Sequence, residues 1–163
     1  MTRRLIVIMG PSGCGKSLIG AGLAEALDAP MLEGDDFHPA ANIAIMAAGI
    51  ALTDAHRASW LDRIGAAVDR AEGGNVVLAC SALTPYVQKR LRDMSAHTVR
   101  FFLLAAPREE LLVRIDARSD HFMPASLLDS QLGALVVPDD ALTFDACQSP
   151  EAIVDAMLTA LDD

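Results

Sequence analysis

Gly10-Pro11-Ser12-Gly13-Cys14-Gly15-Lys16-Ser17 satisfies G-x-x-x-x-G-K-[ST] at every fixed position. Leu5 to Met9, just before it, is an apolar run of strand character. Just after it, Ile19, Leu23 and Leu27 recur at four-residue steps, the spacing of a helix that lays one apolar stripe on a sheet. A strand, a glycine-rich turn and a helix in that order make an anion site. Gly10, Gly13 and Gly15 let the loop aim successive backbone N–H groups, those of Ser12 and Cys14 among them, at phosphate oxygens. The helix behind adds the positive end of its dipole. Lys16 is expected to reach the β- and γ-phosphates of a nucleoside triphosphate, and the Ser17 hydroxyl to hold Mg²⁺.

Outward from that stretch, Asn75–Ala79 and Val99–Leu104 are further apolar runs of strand character, each followed by a segment with helical spacing. Met31–Glu33 reads as a short strand ending at Gly34-Asp35, and Leu142–Phe144 as a weak one. Asp54 is expected to cap a helix through Trp60, Leu61, Ile64 and Val68 that stops at Gly73-Gly74. A later helix starts at Pro107, carries Glu109 and Glu110 in its first turn, buries Leu111, Leu112 and Ile115, and places Arg114 and Arg118 on one face near its end. Helices are also expected from about Pro124 to Leu135 and over Ala152–Leu161. Strands alternating with helices predict a three-layer α/β/α fold with a mostly parallel five-stranded sheet, as one domain over residues 1–163. Its ligand should lie at the carboxyl ends of the strands.

Composition narrows the partners. The chain has 163 residues, 52% of them hydrophobic, enough for one packed core. Thirteen lysines and arginines against 22 aspartates and glutamates give a formal charge of −9, which argues against nucleic acid held by bulk positive charge. Cys14, Cys80 and Cys147 are odd in number and lack C-x-x-C spacing, so neither a disulfide framework nor a zinc site is expected, and the expected compartment is the reducing cytoplasm. The apolar run after Arg3-Arg4 is too short for a signal peptide, and Ala40–Thr53 is too short to span a bilayer, so no membrane association is expected. The strand Val76–Ala79 ends in Cys80-Ser81 rather than in an acidic residue, which favours a small-molecule kinase over a motor ATPase. There is no G-x-S-x-G or H-E-x-x-H, and His38, His56, His97 and His121 lack metal-ligand spacing.

Further segments carry a resemblance. Gly34-Asp35-Asp36-Phe37-His38-Pro39 with Asn42 and Met46; Gly49 to Asp54 with Arg57 and Trp60-Leu61; Ala79-Cys80-Ser81-Ala82-Leu83; and Arg114 to Pro124 with Leu127-Leu128, Ser130-Gln131-Leu132 and Pro138 are collinear with the gluconate kinase family of small phosphate-loop sugar-acid kinases. With the phosphate loop, the resemblance spans residues 5 to about 138. It implies ATP-dependent phosphorylation of a sugar acid, D-gluconate to 6-phospho-D-gluconate, with Mg²⁺, and a homodimer, the common state of related enzymes. It also implies that Asp35 sits beside the acceptor hydroxyl as orienting group or base, that His38 and Asn42 face the acceptor, and that Arg57 binds its carboxylate. Arg114 and Arg118 are implied to reach nucleotide phosphates, and His121 to belong to a helical lid over about 114–135 that also meets the substrate.

Each role has a plainer counterpart. Gly-Asp can merely cap a turn, His-Pro followed by asparagine can start a helix, Arg57 can be a solvated helix arginine, and Arg114 and Arg118 can complement a helix dipole. The chain also departs from the family pattern. Ile45 and Thr84 stand where lysines are usual, Gln88 where an arginine is usual, Ala55-His56 where an acidic pair is usual, Asp120 for a glycine and Val136 for an acidic residue. These departures leave two alternatives: a kinase for another small sugar or polyol, or a nucleotide-binding protein with impaired turnover.

Overall fold

The computed structural model describes residues 3–94, 96–118 and 124–163. Five strands, β1 (Arg4–Met9), β2 (Met31–Glu33), β3 (Asn75–Ala79), β4 (Thr98–Ala105) and β5 (Leu142–Asp145), form one sheet in the order β2-β3-β1-β4-β5. Each neighbouring pair is parallel, in line with the sequence expectation. β1 lies in the middle and is covered on both faces, which is why its Leu-Ile-Val-Ile-Met run has no polar alternation.

Period-two geometry splits that run between two cores. Leu5, Val7 and Met9 pack with Trp60, Leu61, Ile64 and Val68 of α3 (Asp54–Arg70) and with Val87 and Leu91 of α4 (Pro85–Met94). Ile6 and Ile8 face the other way, against Ile19 and Leu23 of α1 (Lys16–Leu27), Leu111 and Ile115 of α5 (Arg108–Asp116), and Ile153 and Met157 of α7 (Pro150–Asp162). Leu5 to Met9 are all fully buried, and each such side chain contributes about 1.5–3 kcal/mol of burial free energy. Among the described residues no helix is long and apolar enough to cross a membrane.

Helix ends differ from the sequence expectation where a capping residue outcompetes the expected one. Thr53, not Asp54, caps α3: its Oγ1 accepts from the His56 N–H at 3.3 Å, while His56 Nδ1 accepts from the Thr53 N–H at 3.1 Å. Asp54 is thereby left in the first turn, where it pairs with Arg57 at 2.9 Å. α3 ends at Arg70, ahead of Gly73-Gly74. Ser149 caps α7 with Pro150 in its first turn, two residues before the expected start at Ala152. The expected helix 124–135 is a 3₁₀ turn at Ala125–Leu127 followed by α6 (Leu128–Ala134). Arg108 holds α6 to α5 through two bonds to Asp129, at 2.6 and 3.0 Å.

The remaining helix, α2 (Ala40–Ala47), follows a 3₁₀ turn at Gly34–Phe37 that closes β2. Gly34 sets how close that turn sits to β3, because a Cβ there would meet the Ala79 carbonyl oxygen at 2.6 Å. Gly34→Ala is therefore expected to displace the turn and lower stability by about 1–3 kcal/mol. Thermal or urea unfolding of the variant beside the native chain checks this, and an unchanged midpoint would contradict the close approach.

Candidate active site

The loop between β1 and α1 turns sharply at Gly10, whose φ is 144°. A Cβ there would strike Cys14 Sγ at 2.8 Å and the Leu104 carbonyl at 2.9 Å, so only glycine fits. Cys14 itself points into the core and is 1% exposed, so it gives the loop its backbone and keeps its sulfur out of the cleft. Lys16 folds back over the loop, its Nζ donating to the carbonyls of Gly10 at 3.0 Å and Pro11 at 3.1 Å. Behind the loop, Arg114 Nη1 donates to the Gly13 and Cys14 carbonyls at 3.5 and 3.4 Å. Its Nη2 donates to Ala146 at 2.8 Å and its Nε to Glu110 at 3.0 Å.

Across the cleft, the end of β2 supplies carboxylates. The Ser17 hydroxyl donates to Glu33 Oε2. Burial raises the Glu33 pKa above its ordinary value, with Asp35 adding to the rise and the Ser17 hydrogen bond opposing it. Asp35 follows on the 3₁₀ turn, which Trp60 fixes by donating from Nε1 to the Gly34 carbonyl at 2.7 Å. The Trp60 ring also stacks on His38, with centroids 4.4 Å apart and planes 9° apart.

Asn42 determines the state of that histidine. Its Nδ2 donates to the His56 carbonyl at 3.0 Å and lies 3.4 Å from His38 Nδ1. Since Nδ2 is a donor, Nδ1 must accept, which puts the proton of the neutral ring on Nε2. Burial lowers the His38 pKa below 6.5, Asp35 opposing the shift and Arg57 adding to it.

An open cleft brings together Ser12, Gly13, Gly15, Lys16 and Ser17 of the loop, Glu33, Asp35 and His38 beyond β2, and Arg57 of α3. Arg118 reaches the same cleft past the end of α5, and Trp60, Leu83 and Leu127 add apolar wall. Four residues expected at the site do not line it. Gly10 and Cys14 form the turn behind it, Asn42 is 4% exposed behind His38, and Arg114 braces the loop from outside. His121, expected in the lid, lies outside the described residues.

Sequence reasoning missed Glu33, Ser81, Ser130 and Gln131, all in the cleft wall. The end of β3, where a metal-side carboxylate is usual, carries Cys80-Ser81. Glu33 pairs with Ala79 across the β2–β3 ladder, so the carboxylate stands at the same height one strand over. Strand periodicity around Glu33-Gly34-Asp35 was the available signal.

The departures at Ile45, Ala55-His56, Thr84, Gln88 and Val136 sit off the cleft wall, and Asp120 lies outside the described residues. Thr84 begins α4 by accepting from the Val87 N–H at 3.3 Å, Ile45 is half-buried on α2, and Gln88 Nε2 donates to the Ala82 and Val136 carbonyls at 2.9 and 2.6 Å. Cys80 is buried, and burial pushes its thiol up to about 12, so it stays protonated and is no nucleophile.

A phosphate-binding loop at the end of the central strand of a five-stranded parallel sheet, with carboxylates facing it, defines a phosphate-loop small-molecule kinase. Residues 5–138 match the family model described as an AAA domain. The chain is 42% identical over 142 residues to a thermosensitive gluconokinase of Escherichia coli, covering 85% of this chain and 74% of that protein. It is 43% identical over 141 residues to a gluconokinase of Gluconobacter oxydans, covering 84% and 78%. A crystal structure of a gluconokinase from Sinorhizobium meliloti 1021 superposes with a TM-score of 0.85 at 38% identity, covering 99% of this chain and 93% of that one. The chain belongs to this AAA-domain family and, within it, to the gluconokinases.

The His38 network has a pH signature. A histidine whose folded pKa lies below its unfolded value supports the fold above about pH 6.5 and loses that support as pH falls, because the unfolded chain binds the proton more readily. The stability difference between the native chain and His38→Gln should therefore shrink as pH drops from neutrality toward about 5. Denaturant titrations across that range test it, and a difference independent of pH would contradict a neutral, buried ring.

Proposed function

We propose that this protein transfers the terminal phosphoryl group of ATP to the primary hydroxyl of D-gluconate, giving 6-phospho-D-gluconate and ADP. The observation that carries the reading is a single cleft in which Lys16 and Ser17 of the loop face Asp35, with Arg57 lining the same cavity. The gluconokinase relatives support the acceptor. Homodimer formation and cytoplasmic action belong to the same proposal.

In this mechanism the N–H groups of Gly13, Gly15, Lys16 and Ser17 hold the phosphates, and Lys16 leaves the Gly10 and Pro11 carbonyls to meet them. Arg118 adds charge from the far side. Asp35 orients the acceptor hydroxyl and takes its proton as the oxygen bonds to phosphorus and the bond to the leaving ADP oxygen breaks. Arg57 receives the sugar-acid carboxylate, and His38 Nε2–H faces the acceptor hydroxyls. Trp60, Leu83 and Leu127 limit water.

Mg²⁺ fits the chain at Ser17 and Glu33. Both are oxygen donors already in contact, and the carboxyl whose pKa burial raises would regain a positive neighbour. When bound with the nucleotide, the ion neutralises charge on the transferring phosphoryl group.

A coupled ADP-release assay should show gluconate-dependent turnover that neutral polyols do not match. Asp35→Asn should lower kcat by about 10²–10⁴-fold while calorimetric ATP affinity holds, whereas Lys16→Ala should weaken both. If no acceptor stimulates ADP release from the native protein, the reading is wrong.

A further inference from the structure

The Ser12 N–H of the phosphate loop donates to Gln131 Oε1 on α6 at 2.7 Å. The two residues are 119 positions apart in the chain, and both line the cleft. Ser12 is 7% exposed, so this main-chain donor is largely closed to solvent, and the amide orientation of Gln131 is fixed because a backbone N–H requires an oxygen. Leu127, Ser130, Gln131 and Ala134, on α6 and the turn before it, all face the cleft, so this part of the chain forms a continuous wall opposite the loop. Arg108 also ties α6 through Asp129, but that pair is exposed and reaches α5 rather than the loop.

We propose that Gln131 is a positioning residue for phosphoryl transfer: by holding the Ser12 N–H, it registers the α6 wall against the phosphate cradle, so the acceptor meets the terminal phosphate at a fixed distance. The proposal rests on the kinase reading above and goes beyond it, because it assigns a role to a residue outside the phosphate, proton-transfer and carboxylate-binding groups. The physical reason is that transfer between two bound groups depends steeply on their separation, and about 1 Å of misplacement can cost about 10²-fold in rate. One short hydrogen bond from a loop donor to α6 removes that freedom.

Two variants separate positioning from bulk structure. Gln131→Leu deletes the acceptor oxygen. The Ser12 N–H then lacks its Gln131 partner and is left to a phosphate oxygen, so ATP affinity should hold or tighten, while kcat for gluconate turnover should fall about tenfold with the gluconate KM near the native value. Gln131→Glu keeps an oxygen for Ser12 but sets a carboxylate beside the triphosphate. It should raise the ATP KM by about tenfold at low salt and leave the gluconate KM near the native value. This split, a kcat loss in one variant and an ATP KM rise in the other, is not what loss of packing alone produces.

The experiment is steady-state ADP release over both substrates, with ATP affinity by calorimetry and thermal unfolding measured on the same preparations. Gluconate-dependent turnover of the native protein is recorded first, so failure there counts against the kinase reading and leaves Gln131 aside. Given native turnover, native kinetics in Gln131→Leu would overturn the proposal. So would a parallel loss of ATP affinity, turnover and melting temperature in that variant, which would make Gln131 a packing residue only.

Discussion

A loop that turns its amide hydrogens outward for an anion must dispose of the carbonyls it turns the other way, and in this protein two cations take them. Lys16 covers those of Gly10 and Pro11 from within the cleft, and Arg114 covers those of Gly13 and Cys14 from behind. A carbonyl left bare in a site with restricted water costs free energy comparable to a lost hydrogen bond; that of Pro11 also accepts from the Cys14 N–H at 3.3 Å. The two cations differ in permanence. Lysine carries a mobile point charge that an arriving phosphate can recruit. Arginine is a planar fork, already engaged with Ala146 and Glu110, and is suited to staying in place. The loop thus keeps its shape when the lysine moves.

The β2 side of the cleft is built on the same economy of positions. Trp60 serves twice, its ring stacked on His38 and its N–H bonded to the Gly34 carbonyl, so one side chain sets both the imidazole plane and the turn that carries Asp35. Gly34 lets that turn sit against β3. Ser17 meets Glu33, and Ser12 meets Gln131. Through those two contacts the phosphate loop is joined across the cleft to the end of β2 and to α6.

Most of the architecture was legible in the sequence because its signals are local. The apolar strands, the phosphate loop and the helix stripe each lie within a few residues. Asp35, His38, Arg57 and Arg118 also fall on the cleft, as the family resemblance implied. What stayed hidden is set by tertiary neighbours. Glu33 gains its place from the β2–β3 register, and Gln131 from a partner 119 residues away. Asn42 and Arg114 have side chains that fit direct ligand contact, yet both are consumed by protein groups: Asn42 by His56 and His38, Arg114 by backbone carbonyls. Gln88 reads as a lost cation in sequence but in the fold supplies two neutral hydrogen bonds across a seam.

That seam and the outer side of α6 respond to different forces. Arg108 and Asp129 meet at the surface, where counterions at ordinary ionic strength thin the attraction between exposed charges. The Gln88 amide, buried between two carbonyls, has no net charge to screen. Added salt should therefore weaken the Arg108–Asp129 tie while the Gln88 bonds to the Ala82 and Val136 carbonyls hold and Leu128 stays packed with Leu111 and Ile115, so ionic strength touches the outer side of α6 alone.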